Sequence, residues 1–278
     1  MTYKNIHLHL FVDPVPTSQT TIDNACALAA RFNAKLQVSS PRLKISTRAN
    51  LFGASMVKGM AAEIERKAAS RGEALDAYVA KRAAAGGLTA VISHPVERWP
   101  RTLGDGSWYA RTSDLCVLGL ERGVADQQAA IEDWIFSVGR PCLLVPPGAP
   151  SDSALDDVVL NWDYSRAAAR AVADAIPILR GAKRVRIVTI RGEKDLPPGE
   201  IGAPLVAFLA EHGISSVAEE VEAGSRTAGQ ALLARATDAA ANLVVMGAFG
   251  HSRLREFILG GATKELLEAS KIPLFMSH

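Results

Sequence analysis

Short continuous apolar runs alternate along this chain with longer stretches in which apolar residues recur at helical spacing. In the first half, the runs Ile6–Val12, Lys35–Ser39, Leu88–Ser93, Leu115–Leu120 and Cys142–Val145 predict strands. Between them the pattern predicts helices over Thr20–Asn33, from about Ala54 to Ala85, and over Gln127–Val138. The second half repeats the scheme. Strands are expected at Val158–Trp162, Arg184–Ile190, Ser215–Val221, Leu243–Gly247 and Ile272–Met276. Helices are expected at Arg166–Leu179, Gly199–His212, Thr227–Ala241 and Ala262–Ser270. Runs that are apolar throughout, rather than alternating, suit strands of a parallel sheet covered on both faces. Strand–helix–strand order with connections of this length implies right-handed crossovers in an open α/β sheet.

The repetition can be read within the chain itself. Asp13 ends the first strand of one half and Asp163 that of the other. The segment Asp114–Gly119 (DLCVLG) matches Asn242–Gly247 (NLVVMG) in character, and Pro141 and Pro273 precede the two final strands. The first half is longer between its Asp and its Gly, because of the helical stretch at 54–85. It is four residues shorter between Gly119 and Pro141 than the second is between Gly247 and Pro273. The Pro, Gly, Ser and Asp cluster at Pro146–Asp157 lacks periodicity and falls near the midpoint, as a linker would. Two units are therefore expected, at 1–148 and 156–278, with five strands each in the same order.

Composition narrows the function. The formal net charge is +2 and no basic block stands out, so neither nucleic acid nor a membrane surface is expected as a partner. No apolar run reaches the ~18 residues of a spanning helix. The opening residues have no apolar signal core, and the three cysteines, Cys26, Cys116 and Cys142, are widely spaced and odd in number. A cytoplasmic location with reduced, buried thiols is the expectation.

The densest candidate chemistry is Gly247-Ala-Phe-Gly250-His251-Ser-Arg253, continuing to Gly260-Gly261-Ala262-Thr263. It follows a predicted strand and opens a predicted helix. Glycine there lets the backbone approach phosphates, and free N–H groups at a helix start attract negative charge. In an open α/β sheet such a loop lies beyond the carboxyl ends of the strands, where Asp163 also falls.

The spacing of Gly247, Gly250 and Gly260, together with the strand ending Asp163-Tyr164-Ser165 before an Ala-rich helix, resembles the nucleotide loop and opening of ATP-binding universal stress proteins. The scheme covers the second half well and the first more loosely, as in tandem members of that family. The resemblance implies a five-stranded parallel sheet of the Rossmann-like, adenine nucleotide hydrolase-like type in each unit. It also implies association of the units across their final strands as an intramolecular pseudo-dimer, with a further homodimer left open. Carried over by position, it places Asp163 near a ribose and Met246, Gly247, Gly250 and His251 beside ribose and phosphates. Gly260, Gly261 and Ala262 would give N–H groups to the phosphates. The family pattern has Ser or Thr where Gly261 stands, so one phosphate-binding hydroxyl is missing, with Thr263 two residues on as the substitute. Loss of such a bond typically costs ~1.5–3 kcal/mol.

The first unit departs further. After Gly119 come Glu121, Gly123 and Asp126, with acidic groups where phosphates would sit and no glycine pair before the next helix. It reads as a degenerate partner without nucleotide. His7 and His9 share one face of a strand, a metal-binding spacing, but sequence offers no nearby Cys, Asp or Glu to complete a site and only His94 as a third ligand. No Walker lysine, Gly-x-Ser-x-Gly elbow or His-Glu-x-x-His is present, and no catalytic residue is nominated. Three functions are carried forward. The first is a stress-response module taking ATP, with or without Mg, as a regulatory ligand that alters association with unnamed protein partners. The second is an interaction scaffold of the same fold without nucleotide, and the third a slow ATP-hydrolysing enzyme.

Overall fold

The computed structural model describes residues 2–46, 54–99, 107–121, 125–150, 155–192, 201–248 and 261–278. They form two compact units, one of Tyr3–Arg140 and one of Pro141–His278 together with the N-terminal residue Thr2.

In the unit of residues 3–140 the strands are β1 (Asn5–His9), β2 (Lys35–Ser39), β3 (Arg42–Ile45), β4 (Ala90–Ser93), β5 (Val96–Trp99) and β6 (Leu115–Gly119). The helices are α1 (Gln19–Phe32), α2 (Ala54–Ala85) and α3 (Ala125–Ser137), and a 3-10 turn spans Ser107–Thr112. β6, β1, β2 and β4 lie side by side and all pair in parallel. β6 is buried at all five positions, as its unbroken apolar run requires. Ser18 caps α1 by accepting the Thr21 N–H, and Asn33 closes it in the left-handed conformation at φ 49°.

The two strands β3 and β5 were not expected from the sequence. They pair in parallel as a separate two-stranded sheet, with Leu43 opposite Glu97 and Ile45 opposite Trp99. Among its described residues the first half therefore holds seven strands rather than five. Those of the expected five within this unit lie in the order β4-β2-β1-β6, and the additional pair follows directly after β2 and β4 in the chain.

The second unit contains β7 (Cys142–Val145), β8 (Asp157–Asn161), β9 (Arg184–Arg191), β10 (Val217–Glu222), β11 (Leu243–Gly247) and β12 (Leu274–Ser277). Helices α4 (Arg166–Leu179), α5 (Ala203–Glu211), α6 (Ala228–Asp238) and α7 (Gly261–Ala269) connect them. The sheet runs β10-β9-β8-β11-β12-β7, parallel except for β7, which lies antiparallel to β12 with Leu144 opposite Leu274 and Cys142 opposite Met276. The last strands of the two sequence halves thus pair with each other. α5 is shorter than the expected Gly199–His212, starting behind Gly202, whose φ of 88° suits glycine. α6 carries a full capping box between Thr227 and Gln230. All three cysteines are buried, and none is in a disulfide. Among the described residues no helix is long and apolar enough to cross a membrane.

Candidate functional site

In the second unit the site begins where β8 stops. Asp163 accepts the Ser165 N–H at 3.0 Å, forming a tight Asx turn, and Tyr164 takes a left-handed φ of 59°. Ser165 then caps α4, its hydroxyl accepting the Ala168 N–H at 3.0 Å. The Thr189 hydroxyl on β9 donates to the Trp162 carbonyl at 2.8 Å, and the Tyr164 hydroxyl accepts the Gly202 N–H at 3.3 Å. The Trp162 and Tyr164 rings meet at 5.2 Å. Asp163 and Trp162 are both half-buried. The strand end is thus held from three sides before any ligand is considered.

β11 lies against β8 with Val245 opposite Leu160. Continuing that register places Gly247 beside Trp162, one residue short of Asp163, so the sequence-predicted neighbours share one end of the sheet. Gly247 has a packing reason of its own. A Cβ there would overlap the Ala167 and Ala168 backbone and lie 2.8 Å from the Ala167 methyl. The glycine lets the first turn of α4 sit directly on β11. Ala248 is buried, donates its N–H to Ser277 O at 2.7 Å and has its carbonyl 3.2 Å from His278 Nδ1.

The other expected contacts divide by exposure. Met246 is 2% exposed and Thr263 is 3% exposed, so neither side chain is presented at the surface. Thr263 is therefore poorly placed to stand in for the missing hydroxyl. Gly261, the first residue of α7, is exposed, and a Cβ on it would meet no atom of the described residues within 4 Å. That room at a helix N-terminus fits the approach of an anion. Ala262 is half-buried behind it. α7 is tied to α6 by the Thr227 hydroxyl, which donates to Glu265 at 2.6 Å. Gly250, His251, Arg253 and Gly260 lie outside the described residues.

The corresponding end of the first unit is occupied by its own side chains. Asp13, the counterpart of Asp163, pairs with Arg71 of α2 at 3.0 Å, and the same guanidinium donates to the Pro14 carbonyl at 3.1 Å. Glu121 accepts the Ser18 N–H at the start of α1 at 3.2 Å, and burial raises its pKa. A carboxylate of the chain thus takes the helix-start position that an anion would need. Gly123 lies outside the described residues, and Asp126 falls in the first turn of α3.

The histidine pair is packed among buried side chains. His7 Nε2 lies 2.9 Å from the Ser39 hydroxyl, and burial lowers the His7 pKa to about 4. His9 stacks on Trp134 with centroids 4.4 Å apart. Contrary to the sequence expectation, an acid does approach: Glu97 of β5 lies 3.5 Å from His9 Nε2. His94 is elsewhere, beside the Ser40 carbonyl and Asp76. No group of three or more His, Cys, Asp or Glu able to hold a metal occurs among the described residues. Glu97 and Arg71 were missed because strand β5 and the seat of α2 are set by tertiary contacts. No motif at either residue signals them.

Residues 151–278 match the model of the universal stress protein family. A universal stress protein from Archaeoglobus fulgidus DSM 4304 superposes over 98% of this chain and 97% of its own, with a TM-score of 0.70 at 17% identity. A functionally unknown protein from Pseudomonas aeruginosa PAO1 covers 99% of this chain and 92% of its own, with a TM-score of 0.57 at 12% identity. A protein described as a universal stress protein from Pseudomonas aeruginosa UCBPP-PA14 gives 99% and 93%, with a TM-score of 0.55 at 13% identity. At these identities the likeness is one of fold, and it runs through both halves. No curated protein matches the chain by sequence.

Proposed function

Because residues 151–278 match the universal stress protein family, we propose that the second unit binds ATP or a related adenine nucleotide as a regulatory ligand. The supporting observation is the shared strand end, where extending the β8–β11 register brings Gly247 to Trp162, next in sequence to Asp163, and Gly261 opens α7 with no described atom within 4 Å of a Cβ placed on it. In this reading the first turn of α7 holds phosphates through backbone N–H groups, Asp163 lies towards the ribose, and Mg accompanies the phosphates. Bound nucleotide acts by shifting a conformational or binding equilibrium, and only to the extent that it prefers one state. Protein partners would be the readers of that shift.

One observation favours the alternative, an interaction scaffold that takes no nucleotide. Gly261 offers no hydroxyl and that of Thr263 is buried, so affinity rests on backbone donors. Calorimetric titration of the full chain with Mg-ATP separates the two. The expected result is one site per chain, lost in a Gly250→Asp variant. Gly261→Ser restores the hydroxyl without steric cost and should tighten binding roughly tenfold, the worth of one charge-assisted bond at about 1.5 kcal/mol. Silence of both parent and Gly261→Ser would leave the scaffold reading.

A further inference from the structure

We propose that the first unit carries a second, chemically different binding site, for a small compound without negative charge that presents a hydrogen-bond donor and acceptor side by side. An amide, a lactam or a heteroaromatic amine has that edge. The site is a cavity of about 230 Å³ inside the unit of residues 3–140, the room of about eight water molecules. It is independent of the nucleotide reading, which concerns the other unit.

The walls are mainly apolar: Phe11 beyond β1, Leu43 and Ile45 on β3, Ile64 on α2 and Trp99 on β5. The polar exceptions decide the ligand. Gln127 on α3 lines the cavity and is 2% exposed, yet neither its amide nitrogen nor its amide oxygen has a hydrogen-bond partner among the described residues. Leaving a buried polar group unsatisfied is costly, so such a group in a cavity wall favours whatever enters and offers it hydrogen bonds, water or a ligand of matching shape. A carboxamide offers one donor and one acceptor in a single plane, and the complement is an acceptor and a donor in a single plane.

Charge sets the second condition. Glu97 lines the same cavity at 3% exposure, beside His9. Asp13 also borders it, with its charge met by Arg71. Among the described residues no Lys or Arg lines it. A phosphate or carboxylate entering there would meet the Glu97 carboxyl and an Asp13 already engaged with Arg71, whereas a neutral or protonated nitrogen compound meets no like charge. The pair β3 and β5, with α2 laid over them, supplies Leu43, Ile45, Ile64, Glu97 and Trp99. The second unit has no counterpart of that pair among its described residues, so the first unit's additions close one wall over residues 11–14 and 41 at the ends of β1 and β2.

Ligand-observed NMR on the full chain tests this with matched probes: benzamide, nicotinamide and 2-aminopyridine against benzoate and nicotinate. The amides and the amine are expected to bind, and the two carboxylates are not. Gln127→Leu removes the unpartnered amide without removing volume and should weaken benzamide at least tenfold. Ile64→Trp fills the cavity and should abolish binding, and circular dichroism verifies that both variants remain folded. Gly250→Asp should leave benzamide binding unchanged, which separates this site from the nucleotide one. Equal binding of benzamide and benzoate, retention of binding in both cavity variants, or no binding of any amide or amine at about 10 mM would each overturn the proposal.

Discussion

His7 shows how much one residue reports about its surroundings. Its ring is 2% exposed, one nitrogen meets the Ser39 hydroxyl, and burial lowers its pKa from 6.5 to about 4. Between those two values the unfolded chain takes up a proton that the folded chain excludes. Stability therefore falls as pH drops from 6.5 towards 4, and this loss levels off below 4. At pH 5 the loss from this one group should be about 2 kcal/mol relative to pH 7. Urea unfolding of the parent and of His7→Gln at both pH values measures it: the variant should be less sensitive to pH by that amount. Equal sensitivity would mean that another group carries the proton. The sequence placed His7 and His9 on one face correctly, because strand alternation is local. It could not place Glu97 beside them, because the partner arrives from strand β5, far along the chain.

Among the elements, α2 was the most legible and its role the least. Its span from Ala54 to Ala85 follows from a long run at helical spacing without Pro. What it covers depends on contacts that no local pattern encodes. Arg71 reaches Asp13 and the Pro14 carbonyl, Glu65 accepts the Ile45 N–H at 2.8 Å, and Arg82 meets Asp23 at 2.5 Å. The helix therefore lies over the strand end that the first unit leaves without a glycine loop. Its burial is uneven along its length. Ala68, Leu75, Val79 and Ala83 form a buried stripe, while Met56 and Met60 near its start are exposed at 73% and 58%. Val79→Asp puts a charge into that stripe and should cost at least 3 kcal/mol, whereas Met60→Asp should stay within about 0.5 kcal/mol. Chemical denaturation of the two variants checks both values, and similar costs would show that α2 is not seated by that stripe. β3 and β5 escaped the sequence reading for a related reason. At four residues each, RLKI and VERW mix charge and apolar side chains without a continuous run, so nothing marks them before they pair.

At the scale of the whole molecule, the repeat was visible because both halves order their strands alike, and each half's final strand follows a proline. The structure adds what joins the ends. β12 is buried at all four positions, LFMS, and β7 at all four of CLLV, with the two strands antiparallel. β12 is thus an apolar strand that would be an open edge without β7, and such edges recruit another strand. Each fully buried Leu or Phe left exposed forgoes about 1.5–3 kcal/mol, which sets a strong incentive to re-pair. A fragment of residues 156–278 retains β12 and lacks β7. It should self-associate in sedimentation at concentrations where the full chain does not, because β12 of one copy can take the place of β7 on another. Substituting Phe275→Lys in that fragment puts a charge on the strand and should return it to monomer. A fragment that stays monomeric with a native helical spectrum would show that β7 shields nothing essential. The antiparallel strand would then follow from chain connectivity and not from the need to cover an edge.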